Sequence, residues 1–146
     1  MSYIYSYPHM AVTVDIVVFA QFDKTTKALL IRRGKPPFEG AWAIPGGFVD
    51  MNETIIEAAE RELAEETGAK GLALNYLGYF DSIDRDPRER TLSIVFWSMG
   101  DAAELNIRAA DDASDANWFA LDRLPNLAFD HGNIMKAAVS ELEQPS

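Results

Sequence analysis

Residues 47–69 read GFVDMNETIIEAAERELAEETGA, and this stretch decides the first element of the fold. Thr54 and Glu57 form the Thr-x-x-Glu pattern of a capping box, in which each side chain satisfies the other residue's backbone N–H. The pattern predicts a helix from Thr54 to Thr67. Ile56, Ala59 and Leu63 recur at helical spacing and predict a core-facing stripe. Gly68 stands where a helix stop belongs. Within the helix, Glu62 and Glu65 are spaced i,i+3 and Glu62 and Glu66 i,i+4, so all three share one side. Like charges so placed repel by a few tenths of a kcal/mol per pair. Glu53, Glu57 and Glu60 make the segment still more acidic. Taken alone, such a cluster reads as a solvated helix face. A divalent cation would turn its repulsion into coordination. Hard cations prefer carboxylate oxygens; Mg2+ usually keeps several waters and recruits substrate phosphates, and Mn2+ accepts the same ligands.

Outward from the helix the chain reads mainly as strands. Upstream, Ala11 to Ala20 (AVTVDIVVFA) is rich in β-branched and aromatic residues and predicts a buried strand. A polar turn at Asp23–Thr26 leads to a returning strand, Lys27 to Arg33. Pro36 and Pro37 mark a loop. Trp42 to Ile44 predicts a short strand ended by Pro45-Gly46-Gly47. Downstream, Leu72 to Phe80 and Thr91 to Met99 predict strands flanking a charged loop, Asp81 to Arg90. Asp101 to Ala113 reads as irregular, Asn117 to Ala120 as another strand, and His131 to Glu143 as a closing helix with Ile134, Ala138 and Leu142 inward. Strands, one helix, more strands and one helix suggest a mixed sheet with helices on its faces. No repeat or linker divides the chain, which predicts one domain over 1–146. The Gly46-Gly47 pair lacks the spacing of a dinucleotide fingerprint, and no Gly-Lys-Ser/Thr phosphate loop is present.

Composition narrows the chemistry. With 146 residues and 48% hydrophobic residues, the chain can bury a sizeable core, roughly two-thirds of its unfolded surface. It has no cysteine, which excludes disulfides, thiolate metal sites and cysteine nucleophiles. The net charge of -10 opposes a nucleic-acid polymer as partner. No segment reaches membrane-span length. The start lacks the order of a secretion signal, so a cytoplasmic location is expected.

Gly47, Glu53 and the run Arg61-Glu62-x-x-Glu65-Glu66-x-Gly68 stand at the spacing of the box of the Nudix hydrolases, which this chain resembles. The box spans 47–69, and the element order extends the likeness to nearly the whole chain. Ala69 departs softly, since the family usually has a larger aliphatic residue there. The resemblance implies an α/β/α sandwich (α+β) with a mixed β-sheet and a loop-helix-loop metal site. It implies a Mg2+-dependent hydrolase, with Mn2+ as the other cation, that cleaves a diphosphate bond in a nucleoside diphosphate linked to another group. Carried over by position, Glu62, Glu65 and Glu66 are the metal ligands. Gly47 lets the backbone approach the metal, Arg61 orients the glutamates and Glu53 braces the loop or assists at the site. The general base is left open among Glu62, Glu65 and the loop acids Asp84, Asp86 and Glu89.

The stretches Val12–Phe19, Asp84–Arg88 and Leu127–His131 resemble the ADP-ribose pyrophosphatase branch. They also resemble the Nudix domains of bacterial regulators that sense ADP-ribose. Those regulators add a winged-helix domain after the Nudix domain. Here the chain ends at Ser146, soon after the closing helix, so the expectation favours the enzyme, cutting ADP-ribose to AMP and ribose 5-phosphate. A nucleotide sensor and a housecleaning hydrolase of nucleoside triphosphates are the alternatives. Arg32, Arg33, Arg85, Arg88 and Arg90 are candidates for phosphate, because guanidinium pairs bidentately with it. Trp42, Phe48 and Phe80 are candidates for stacking on a base. His131 is expected to bond locally at its helix start, with Asp130 as the cap. The resemblance also implies a homodimer, with Tyr3 to Met10 as a candidate contact.

Overall fold

The computed structural model describes residues 4–105, 107 and 113–144. Its centre is β1 (Ala11–Phe22), which pairs in parallel with β6 (Thr91–Gly100) from Ala11 to Ala20. The opposite edge of β1 is shared. Its outer end pairs antiparallel with β2 (Thr25–Arg33), and Thr13–Asp15 pair with β4 (Gly46–Phe48). The strands β1 and β2 are therefore paired only from Phe19 to the turn and part on the N-terminal side of Phe19. The segment from β3 (Trp42–Ala43) to β4 fills the gap, bonding β2 through β3 and β1 through β4. β5 (Asn75–Phe80) lies antiparallel on β6, and β7 (Ala113–Ala120) lies antiparallel on β2. One parallel pairing among antiparallel ones makes the sheet mixed, as expected.

Helices cover both faces. Side chains of a strand alternate between faces, and β1 is apolar on both. Val14, Ile16 and Val18 pack with Ala58, Ala59 and Leu63 of α1 (Ile55–Thr67). Val17 and Phe19 pack with Ile134, Met135 and Ala138 of α2 (His131–Glu143). Such two-sided burial explains why β1 reads as a continuous apolar run rather than an alternating one. Among the described residues no helix is long and apolar enough to cross a membrane. Ile4, Tyr5, Tyr7 and Met10 of the N-terminal segment are exposed.

The helix α1 begins where its sequence signals say. The Thr54 hydroxyl accepts the Glu57 N–H at 3.2 Å, and Glu57 Oε1 accepts the Thr54 N–H at 2.9 Å. Gly68 closes the helix with φ 80°, a conformation that costs glycine nothing. Thr54→Ala should lower stability by about 1 kcal/mol and the melting temperature by roughly 2–4 °C. Thermal unfolding with unchanged turnover would verify it.

Details differ from the sequence expectation. Ile56 is 41% exposed, and Ala58 takes its place in the core. β4 was not expected, because Gly-Gly has little strand propensity; the free edge of β1 creates it. β5 starts at Asn75, while Leu72 and Leu74 pack against the α1 core beside buried Ala69. β7 starts at Ala113, well before Asn117, because it pairs along the edge of β2. Of the stretch expected to be irregular, Asp101 to Ala113, residues 106 and 108–112 lie outside the described residues.

Candidate active site

A cavity of about 310 Å³ opens where β1 and β2 part. Part of its lining is acidic. Glu62 and Glu66 reach it from α1, beside Gly46 and Gly47 of β4. The Gly46 N–H donates to Glu66 Oε1 at 2.8 Å. Glu66 is only 8% exposed. Burial pushes its carboxyl up to about 8, with Glu62 and Asp15 adding to the rise and the Gly46 N–H and Arg33 opposing it. Burial also raises Glu62, against the pull of Arg61. These two acids are placed where carrying negative charge is unfavourable without a cation.

Arg61 organises the rest of the acidic face. Its Nε and Nη2 bind both oxygens of Glu53, at 2.9 and 2.6 Å. Its Nη1 reaches Glu62 at 2.9 Å and Glu65 at 3.2 Å, and Nη2 also donates to the Phe48 carbonyl at 3.0 Å. Glu53 accepts the Asp50 N–H as well. The Arg61 hydrogen bonds and that N–H hold the Glu53 carboxyl down at about 2. Glu53 therefore ties the loop before α1 to the helix, and it lies outside the cavity lining. Glu65 is half-exposed and also outside the lining.

The cavity lining is also basic and aromatic. Arg88 lies over Phe48, with 4.8 Å between its guanidinium carbon and the ring centre, and 5.5 Å from Phe129. Arg33 lies over Phe129 at 5.0 Å. Lys35 lines the cavity as well. The lining further includes the polar residues Thr13, Asp15, Arg85 and His131. The Thr13 hydroxyl is buried there without a protein partner.

The acids on one helix turn, fastened by an arginine and set against a glycine pair, make the pattern anticipated from the sequence, and residues 10–138 match the NUDIX domain. The chain belongs to the Nudix family. It is 46% identical over 130 residues to an ADP-ribose pyrophosphatase from Methanocaldococcus jannaschii, covering 89% of this chain and 73% of that protein. An ADPR responsive transcriptional repressor from Acinetobacter baylyi is 28% identical over 93% of this chain, which spans only 56% of the repressor. Among solved structures, the NUDIX domain of Shewanella oneidensis NrtR, complexed with ADP ribose, superposes with a TM-score of 0.84 at 29% identity, covering 94% of this chain and 91% of that one. A bifunctional NMN adenylyltransferase/ADP ribose pyrophosphatase from Francisella tularensis, complexed with AMP and a manganese ion, gives a TM-score of 0.77 at 32% identity, covering 94% of this chain and 43% of that one.

Nudix hydrolases generally use divalent metals. Among the described residues no group of three or more acids or histidines is already gathered into a metal cage. The donors nevertheless fit a hard cation that keeps part of its water shell. A buried carboxylate, Glu66, and a half-buried one, Glu62, on one side of α1 lie beside the Gly46–Gly47 pair. A Cβ on Gly47 would lie 2.6 Å from Glu62 Oε1, and one on Gly46 would lie 2.1 Å from the Val14 carbonyl oxygen. The obstacle at Gly47 is the end of a flexible side chain. Gly47→Ala should therefore fold with little change in melting temperature but swing the Glu62 carboxylate away, lowering kcat on the order of tenfold. Steady-state kinetics beside thermal unfolding would show the split.

Of the Nudix site residues anticipated on the substrate side, Arg33, Phe48, Arg85 and Arg88 line the cavity, whereas Arg32 and Trp42 do not. Ile31 and Arg33 face the cavity, so Arg32 between them points away and donates to the Gly40 carbonyl at 3.0 Å. Trp42 packs edge-on against Phe119, and Phe80 packs into the α2 core. Arg85 is present but engaged: it binds both oxygens of Asp130, at 2.9 and 2.7 Å, and the Thr91 hydroxyl at 3.0 Å. Asp130 consequently makes no side-chain cap for α2, contrary to expectation. Nor is His131 bonded locally; its ring accepts the N–H of Ile44. Of the loop acids, only Asp86 lines the cavity. Burial alone would raise its carboxyl, but the hydrogen bonds and charge of Arg88 lower it. The sequence carried one overlooked signal for this lining: Asp15 is a lone acid inside a run of buried apolar residues. Phe129 gave no such signal.

Proposed function

We propose that this protein hydrolyses the diphosphate bond of ADP-ribose to AMP and ribose 5-phosphate, with Mg2+ as its cation and Mn2+ as a substitute. The observation that carries the reading is a single cavity lined both by Glu62 and Glu66 and by Arg33, Lys35, Arg88, Phe48 and Phe129. That arrangement suits an anionic diphosphate flanked by two sugar-bearing groups. The choice of ADP-ribose is supported by one relative being an ADP-ribose pyrophosphatase and by a structural neighbour being complexed with ADP ribose.

Glu62 and Glu66, with Glu65 as the third carboxylate of the set, would hold the cation, and the Gly46–Gly47 backbone leaves room for it. When bound, the cation neutralises phosphate charge and lowers the pKa of an attacking water. Arg61 keeps Glu62 and Glu65 from turning outward and, with Glu53, fixes the loop. Arg88 stands over an aromatic face, where it can meet phosphate edge-on while remaining stacked. Water adds to one phosphorus, the bond to the bridging oxygen breaks, and a carboxylate of the acidic cluster receives the proton. Asp86 is poorly suited to that role, because Arg88 holds it as a weak base.

The test is a panel of ADP-ribose, other nucleoside diphosphate sugars, dinucleotides and nucleoside triphosphates, each with Mg2+, Mn2+ or a chelator. AMP should form from ADP-ribose only with metal. Tight ADP-ribose binding without turnover in any metal would replace the enzyme with a sensor. A preference for triphosphates would replace it with a housecleaning hydrolase.

A further inference from the structure

His131 stands apart from the glutamates, yet it is tied to the turn they rest on. Its Nδ1 accepts the Ile44 N–H at 3.0 Å. That bond assigns the tautomer: Nδ1 carries the lone pair and Nε2 the proton. Nε2 faces Asp15 Oδ1 at 3.4 Å. Asp15 is itself buried, and its second oxygen accepts the Ser93 hydroxyl. The imidazole is thus fixed at both nitrogens. Burial favours its neutral form, against the pull of Asp15 and Asp130.

The backbone after Ile44 is gripped from several sides. The Pro45 carbonyl accepts the Ile16 N–H of β1 at 2.9 Å. Gly46 then donates to Glu66 of α1. Proline has no N–H of its own, so Ile44 supplies the nearest donor upstream of Gly46. Close by, the Ala128 N–H donates to the Trp42 carbonyl, docking the approach to α2 on the same segment. Without the His131 ring, the Ile44 N–H would lie in the core unpaired, an unfavourable state that the turn can relieve only by shifting. A shift there carries Gly46 away from Glu66.

We propose that His131 is a positioning residue for the cation site, clamping Ile44 so that the Gly46 N–H stays on Glu66. The inference rests on reading Glu62 and Glu66 as cation ligands. It makes α2 a support of a site whose acids all belong to α1, on the opposite face of the sheet.

Three variants test it. Asparagine can place Oδ1 where Nδ1 now accepts the Ile44 N–H. Glutamine carries its amide past that point toward Asp15, and alanine supplies nothing. In the metal-free protein, His131→Ala should speed amide exchange at Ile44 and Gly46. Mn2+ titrated into the free protein and followed by electron paramagnetic resonance should then bind roughly tenfold more weakly, as when an outer support of a metal site is removed. At saturating cation, kcat should fall while KM for ADP-ribose stays within about twofold. His131→Asn should recover Ile44 protection and most of the Mn2+ affinity; His131→Gln should not. Wild-type Mn2+ affinity in His131→Ala overturns the proposal, as does equal weakness of the Asn and Gln variants. If the Ala variant fails to fold, the Asn–Gln contrast decides. A wild-type protein that binds no Mn2+ sinks the cation reading and this inference with it. Wild-type binding with all three variants unchanged sinks this inference alone.

Discussion

Glu66→Gln should reduce turnover on the order of 10²- to 10³-fold, the equivalent of about 3–4 kcal/mol in the barrier, while making the metal-free protein more stable at pH 8. The two effects share one cause. Gln keeps an oxygen for the Gly46 N–H and nearly the same shape, so the turn stays in place. What disappears is a buried charge. In the folded chain the Glu66 carboxyl is pushed up to about 8, whereas unfolded it has the ordinary value of 4.5. Between those values the folded state holds a proton that the unfolded state has released. The contribution of Glu66 to the stability of the metal-free wild type is therefore fullest below 4.5 and falls as pH rises toward about 8. The decline should be on the order of a few kcal/mol, and it should be missing from Glu66→Gln. A cation held by Glu66 would bind the folded state and offset the decline in wild type, so Mg2+ should raise the wild-type melting temperature and leave the variant's nearly unchanged. Melting curves from pH 5 to 8 with chelator or Mg2+ give all these comparisons. Turnover by Glu66→Gln at the wild-type rate would remove Glu66 from the set of ligands.

The acidic half of this site was legible in the sequence because every part of it is local. Thr54, Glu57 and Gly68 bound the helix, and the three glutamates with Arg61 follow from helical spacing within it. Gly47 and Glu53 lie one short loop upstream. The rest of the site is assembled at long range. Ile44 and His131 meet across 87 residues, Arg85 and Asp130 across 45, and Asp15 and Ser93 across 78. No periodicity encodes such pairs. The same distinction holds in the sheet. β1, β2 and β6 are apolar enough to declare themselves, whereas β4 and the start of β7 are strands only because an unpaired edge lies beside them. Arg32 and Arg33 show the limit at single-residue scale. They are chemically alike, but alternation along β2 gives the cavity to one and solvent to the other.

Arg85→Met should lower stability by about 3–5 kcal/mol, the usual loss when a buried ion pair is broken from one side. In a chain of this length that is a fall of roughly 10 °C in melting temperature. The Arg85 side chain is 3% exposed, and its guanidinium spans Asp130 and Thr91 with Asp15 at 3.9 Å. Methionine fills the volume but leaves Asp130 and Asp15 without their cation. Lysine keeps a charge yet lacks the planar fork that meets both Asp130 oxygens, so Arg85→Lys should fall between. Adding Asp130→Asn to Arg85→Met removes one of the stranded charges and should recover part of the loss. Residues in contact commonly couple by roughly 0.5–3 kcal/mol, and the recovery should be of that order. The alternative role, suggested by sequence alone, gives an opposite signature. A guanidinium free to hold phosphate would, when removed, raise KM for ADP-ribose and leave the melting temperature in place. Urea unfolding of the four proteins, with KM measured beside it, separates a strut from a ligand. The strut is the expected result, since Arg85 has already committed Nε and Nη2 to Asp130 and Nη1 to Thr91.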